Sequence, residues 1–207
     1  MEWVRYTEDR HIMILQAAAA WLLAVSWIGF SVMLAWNHFR VRRARRLQGI
    51  AEEKPALRDP RSMGGLALEG LSFFVAVVFD RAPPEAPVWQ AGASILFGLL
   101  ALLLLALALR HLGLQWRIKA IVTEDHRLIT TGPYAVLRHP IFASLLCLLL
   151  ATVNLITEPW AAVAAIAICV YGTEIRVRAE DGLLQKRFGE RFEAYRRRVP
   201  AYVPFLR

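Results

Sequence analysis

Cysteine is almost absent from this 207-residue chain: Cys147 and Cys169 are the only two. Both fall inside apolar runs, so neither a disulfide framework nor a spaced metal cluster is expected, and both read as packing residues. Charge is scarce as well. Only 20% of residues are charged while 57% are hydrophobic, a balance too apolar for an ordinary soluble domain of this size. The chain lacks a glycine-rich strand-turn-helix fingerprint for a nucleotide, internal repeats, and any low-complexity tract beyond the Leu/Ala richness of membrane spans. Acidic residues are in deficit, 17 against 25 Lys and Arg, for a net charge of +8 and a pI near 10.2. The basic residues lie between hydrophobic runs and so act first as topology signals. Nucleic acid is not expected as a partner.

What the sequence does have is apolar length. A spanning helix needs roughly 20 mostly apolar residues, and five segments meet or approach that: about 12–36, 64–79, 88–109, 141–157 and 160–175. The first is too long for a signal-peptide core and reads as a retained span. The second is tight and carries Glu69. The last two are joined only by Glu158 and Pro159, which predicts a closely packed helical hairpin. In this arrangement Arg5, Arg10 and Arg81 lie on one side of the bilayer and the other 22 basic residues on the opposite side. The asymmetry predicts an N-terminus outside and a C-terminus in the cytoplasm. The expected fold is an all-α integral membrane protein of about five transmembrane helices, closed by a cytoplasmic C-terminal helix and tail. Residues 1–112 form the N-terminal spans and a loop, and residues 113–207 a functional core. The cluster Arg40, Arg42, Arg43, Arg45 and Arg46 is a stop-transfer signal facing membrane lipids. Nothing in the sequence sets an oligomeric state.

Two polar segments on the predicted cytoplasmic side are long enough to build a site. The first runs through residues 126–142, where Gly132-Pro133 predicts a turn and Pro140 takes a favoured helix-start position. The second begins with Arg176 and Glu180, four residues apart and so on one face of a helix leaving the membrane. Taken singly, an intrahelical ion pair and interfacial aromatics at Trp116 and Tyr134 would account for these residues.

Their co-occurrence points further. Gly-x-Tyr-x-x-x-Arg-His-Pro at 132–140 is followed by an apolar hairpin and then by Arg-x-x-x-Glu-Asp-x-x-Leu-x-x-x-Phe-Gly at 176–189. The chain then runs through Tyr195 into Arg-Val-Pro-Ala-Tyr-Val-Pro-Phe at 198–205. In order and spacing this resembles the isoprenylcysteine carboxyl methyltransferases and their phospholipid methyltransferase relatives, over about residues 113–207.

The resemblance implies a cytoplasmic pocket for S-adenosyl-L-methionine built from His126, Arg127, Leu128, Ile129, Tyr134, His139, Pro140, Ile141, Phe142 and Glu180. It places Arg176 against the carboxylate of a prenylcysteine-like or other amphiphilic substrate entering from the bilayer. Arg176 and Glu180 are then the candidate catalytic pair. The chain departs from the family in having Phe142 where a second Tyr is usual and Asp181 for a common Glu. A family glutamine corresponds either to Lys119 or to a displaced Gln115. Methylation of an amine, thiol or hydroxyl is the alternative chemistry. A further alternative is an NADPH-dependent membrane reductase of related fold, with Arg127 and Arg138 on the 2′-phosphate.

Overall fold

The computed structural model describes residues 2–47, 57–81, 86–116, 121–122 and 127–204. Six α-helices carry these residues: α1 (Glu2–Leu47), α2 (Arg61–Val78), α3 (Val88–Leu112), α4 (Pro140–Ile156), α5 (Pro159–Phe188) and α6 (Glu190–Arg198). Four of them, α1, α2, α3 and α5, are long and apolar enough to cross a membrane, and α4 is a shorter apolar helix of 17 residues. The expected all-α membrane architecture holds. One addition was not anticipated: Leu57–Arg58 (β1) pairs antiparallel with Ile121–Val122 (β2), tying the segment before α2 to the one after α3.

Helices α1 and α2 each bury a narrow stripe and leave bulky residues outside. On α1 the buried residues Gln16, Ala19, Leu23, Ser26, Phe30, Asn37 and Val41 recur at three- and four-residue steps, or sums of them, while Trp21, Ile28 and Trp36 point outward. Ser62, Gly65, Glu69, Ser72 and Ala76 form the same kind of stripe on α2. Outward Trp and Ile with inward Gly, Ala and Ser reverse the pattern of a soluble bundle. It is the pattern expected where lipid is the solvent and small residues let helix backbones approach.

The principal packings are α2 on α5, α3 on α4 and α1 on α3. The α2–α5 contact is the closest in kind. A Cβ at Gly65 would lie 2.6 Å from both the Gly172 carbonyl oxygen and Arg176 Cγ. Gly65→Ala is therefore expected to force α2 off α5 and cost about 1–3 kcal/mol. The thermal midpoint of the detergent-solubilised protein should fall, while Gly64→Ala, whose new methyl meets nothing within 4 Å, should leave it unchanged.

The tight turn between α4 and α5 is present, but the two helices are not the closely packed hairpin expected: α5 packs chiefly on α2 and α4 on α3, and the turn is latched to the end of α2. The Glu158 amide donates to Phe79 O (2.9 Å), the Arg81 amide to Ile156 O (2.7 Å), and the Thr157 hydroxyl to Ala76 O (2.8 Å). Beyond the apolar stretch α5 does not stop near residue 175; it continues to Phe188, so Arg176, Glu180 and Asp181 ride on the same rigid rod as the span. Gly189, at φ 54°, ends it and turns the chain into α6.

Candidate functional site

The segment before α4 is fixed by three devices. Gly132 adopts φ 61° directly against the His111 ring, where a Cβ would meet Nε2 at 2.2 Å, so only glycine fits. A short 3-10 turn over Gly132–Ala135 follows, and Pro140 opens α4 at its first position as expected. The third device is the C-terminal tail. Arg138 and His139 donate their amides to Pro200 O (2.9 Å) and Ala201 O (2.8 Å), and the Tyr195 hydroxyl donates to Tyr134 O at 2.5 Å. Tyr202 reaches back to Glu174 Oε1 at 3.2 Å. The tail thus lies along the Gly132–Pro140 segment and closes it from one side.

Beneath this closure sits an ionic cluster drawn from three helices. Asp181 accepts from His139 Nε2 at 2.9 Å and from the Arg138 guanidinium at 3.0 Å. Arg138 is itself buried and also donates to Val199 O (2.5 Å) and Arg196 O (3.1 Å), so it joins α5 to the tail. Glu180 stands 3.5 Å from His139 Nδ1 and 3.9 Å from Arg176. Arg176 has a closer partner than Glu180: Glu69 of α2, at 2.5 Å, whose other oxygen accepts from the Thr173 hydroxyl at 3.0 Å. The Arg176 guanidinium lies 4.4 Å over the Phe142 ring, and His139 stacks on that ring at 5.3 Å. Phe142 is thus a platform for two cationic side chains, which benefit from its π-face.

Burial alone would lower the His139 pKa. Hydrogen bonds to Asp181 and Glu180, and their negative charge, outweigh it and push it up to about 9. His139 is an imidazolium at neutral pH. Burial, with the Glu180 charge adding to it, raises the Tyr134 phenol, and burial likewise raises Tyr195. A proton bound more tightly in the folded state stabilises it fully below the unfolded pKa of about 6.5, and that contribution is lost as pH rises through about 9. Thermal unfolding in detergent should accordingly show a loss on the order of 3 kcal/mol between pH 6.5 and 9.5. His139→Gln should flatten that slope.

The structure gathers some of the residues read from the sequence. Arg176, Glu180, His139 and Phe142 form one cluster, and Tyr134 is tied to it through Tyr195 and the tail. Pro140 is buried at the start of α4. Ile141 instead packs among Leu105, Trp116 and Leu148, away from the ionic groups. Leu128 and Ile129 are half-buried and Arg127 is exposed, with its amide held by Gln115 Oε1 at 2.9 Å. Gln115 therefore braces the candidate cofactor segment. His126 and Lys119 lie outside the described residues. Trp116 is not an interfacial aromatic: it is buried, edge-on to the His38 ring at 5.7 Å. The expected intrahelical Arg176–Glu180 pair is a secondary contact, because α2 delivers a nearer carboxylate. Arg138 faces Asp181 and the tail carbonyls rather than an open groove, which removes one of the two cations that the reductase alternative requires.

A model of the isoprenylcysteine carboxyl methyltransferase (ICMT) family matches residues 94–186. Over that stretch the chain resembles the ICMT family. The matched segment takes in most of α3, the 132–140 segment, α4, and α5 as far as Arg176, Glu180 and Asp181. Glu69, Tyr195 and the tail lie outside it. Protein-S-isoprenylcysteine O-methyltransferase B of Arabidopsis thaliana is 33% identical over 84 residues, 40% of this chain and 42% of that protein. Cobalt-zinc-cadmium resistance protein CzcN of Cupriavidus metallidurans is 35% identical over 132 residues, 55% of this chain and 58% of the relative. Nickel-cobalt-cadmium resistance protein NccN of Alcaligenes xylosoxydans xylosoxydans is 38% identical over 87 residues, 40% of this chain and 38% of the relative. The matched stretch therefore spans about two fifths to three fifths of these relatives' length.

Proposed function

We propose that this chain is a membrane S-adenosylmethionine-dependent methyltransferase whose acceptor is the carboxylate of a prenylcysteine-like amphiphile. The observation that carries the reading is Arg176: a buried guanidinium on the ICMT-matched helix, held over Phe142 where α5 leaves its apolar stretch. A guanidinium can orient a carboxylate through parallel hydrogen bonds, which an ammonium cannot reproduce.

The protonation states favour the same acceptor. His139 is cationic up to about 9, and the Tyr134 and Tyr195 phenols hold their protons above the usual range. At neutral pH none of the three accepts a proton. An amine or thiol acceptor must lose one, whereas a terminal carboxylate, with a pKa near 3.5, arrives ionised. The work left to the side chains is to orient the acceptor, strip water from it and keep it in line.

The donor set suits S-adenosylmethionine, which supplies an activated methyl group. Glu180 is the most exposed carboxylate of the cluster, at 28% of its side chain against 7% for Asp181, and can take the cofactor's amino group or hydroxyls. Residues 126–129, Tyr134, His139 to Phe142 and Glu180 would hold it. The basic asymmetry supports an outside N-terminus and a cytoplasmic site, reached by a soluble cofactor from one phase and an amphiphile from the other. Radiolabelled methyl transfer by purified protein in liposomes tests the reading. Label should enter N-acetyl-S-farnesylcysteine and not amine-bearing lipids. Stabilisation by NADPH but not by S-adenosylhomocysteine would replace this reading with the reductase.

A further inference from the structure

Glu69 is the residue that neither the motif nor the family segment explains. It is a carboxylate within an apolar helix, 1% exposed, and it belongs to α2, outside the ICMT-matched stretch. A carboxylate in that setting is expensive unless paired, and when present it usually marks function. Its two oxygens are divided between Arg176 (2.5 Å) and Thr173 (3.0 Å), both on α5 and three residues apart. The α2 backbone cannot back away, because Gly65 and Gly172 are in contact one turn from Glu69 and leave no room for a methyl group.

We propose that Glu69 is the positioning residue for the acceptor site: it holds Arg176 over Phe142 and keeps the guanidinium from swinging along its own helix onto Glu180. The proposal rests on the carboxylate-acceptor reading above and extends it, since it makes the acceptor site a joint construction of α2 and α5. Glu180 lies 3.9 Å from Arg176 and is the nearest alternative anion in the cluster. Without Glu69, Arg176 would close onto Glu180, and the carboxylate assigned to the cofactor would be occupied by the arginine meant for the acceptor. With Glu69 in place the two functions are separated. Thr173 fixes which oxygen faces Arg176, and so makes a second, milder handle on the same geometry.

The test uses the full-length protein in nanodiscs, with S-adenosylhomocysteine binding measured calorimetrically and methyl-transfer kinetics measured for a panel of N-acetyl-S-farnesylcysteine, a farnesylated thiol and an amine-bearing lipid. Glu69→Gln should raise the acceptor KM at least tenfold and weaken S-adenosylhomocysteine only about twofold to threefold. Thr173→Val, which keeps every charge, should raise the acceptor KM about threefold with unchanged S-adenosylhomocysteine affinity. Equal loss of both ligands in Glu69→Gln, or an unchanged acceptor KM in both variants, would reduce Glu69 to a packing residue. If the wild type instead turns over the thiol or the amine, the carboxylate reading fails, and the same selective rise in that acceptor's KM still upholds the role of Glu69. Wild-type protein that turns over nothing in the panel overturns both.

Discussion

Arg176→Lys is expected to lower kcat/KM for a carboxylate acceptor about 100-fold, or roughly 2.7 kcal/mol of transition-state stabilisation, while S-adenosylhomocysteine still binds. The lysine keeps a positive charge opposite Glu69, so the buried carboxylate is not orphaned and the bundle should remain folded. What disappears is the planar fork that fixes a carboxylate in orientation, and the flat cation that lies 4.4 Å over Phe142. Steady-state kinetics with N-acetyl-S-farnesylcysteine, run beside a binding titration, separates the two effects. A lysine variant within threefold of wild type would mean that Arg176 supplies charge alone. Arg176→Ala is a poorer experiment, because it strands Glu69 in the bundle at a cost of about 3–5 kcal/mol and confounds activity with folding.

The helices were legible because hydropathy and length are local properties. The five expected apolar segments match α1 to α5, with 64–79 and 141–157 each running one residue past its helix, and the Gly132-Pro133 turn and the Pro140 helix start follow from backbone rules that need no neighbours. That α5 runs on past its apolar stretch as a helix leaving the membrane was expected from the Arg176–Glu180 spacing; its end at Gly189 was not. Apolarity fades near residue 175, but the helix continues because no Gly or Pro interrupts it before Gly182, and it terminates only at Gly189. Arg176 and Glu180 were legible as a pair by spacing. That Glu69, 107 residues away, is the nearer partner of Arg176 could not be read from spacing. The one available signal was a carboxylate in an apolar run, which demands a partner without naming it. The same holds for Arg138. In sequence it is one more cation near a turn, and only the fold-back of the tail shows it bound to Asp181 and to two tail carbonyls.

Asp181→Asn is expected to be the most destabilising single-atom change in the cluster. Asp181 is 6% exposed and is the shared anion of two buried cations, His139 at 2.9 Å and Arg138 at 3.0 Å. An amide keeps the shape but supplies an oxygen to only one of them and points N–H donors at the other. Breaking a buried pair in this way costs about 3–5 kcal/mol, and here the loss propagates. Arg138 ties α5 to the tail, and the backbone amides of Arg138 and His139 carry Pro200 and Ala201. The tail should therefore loosen before the bundle does. Limited trypsin digestion should cut at Arg196, Arg197 or Arg198 in the variant under conditions that spare the wild type, with the transmembrane helices still intact by circular dichroism. With one of its two carboxylate partners gone, His139 should also release its proton at lower pH, so the alkaline loss of stability should move toward neutrality. Asp181→Glu, which restores the charge on a longer arm, should recover most of the protease resistance. A variant as resistant as wild type would show that the tail is held by its backbone hydrogen bonds alone.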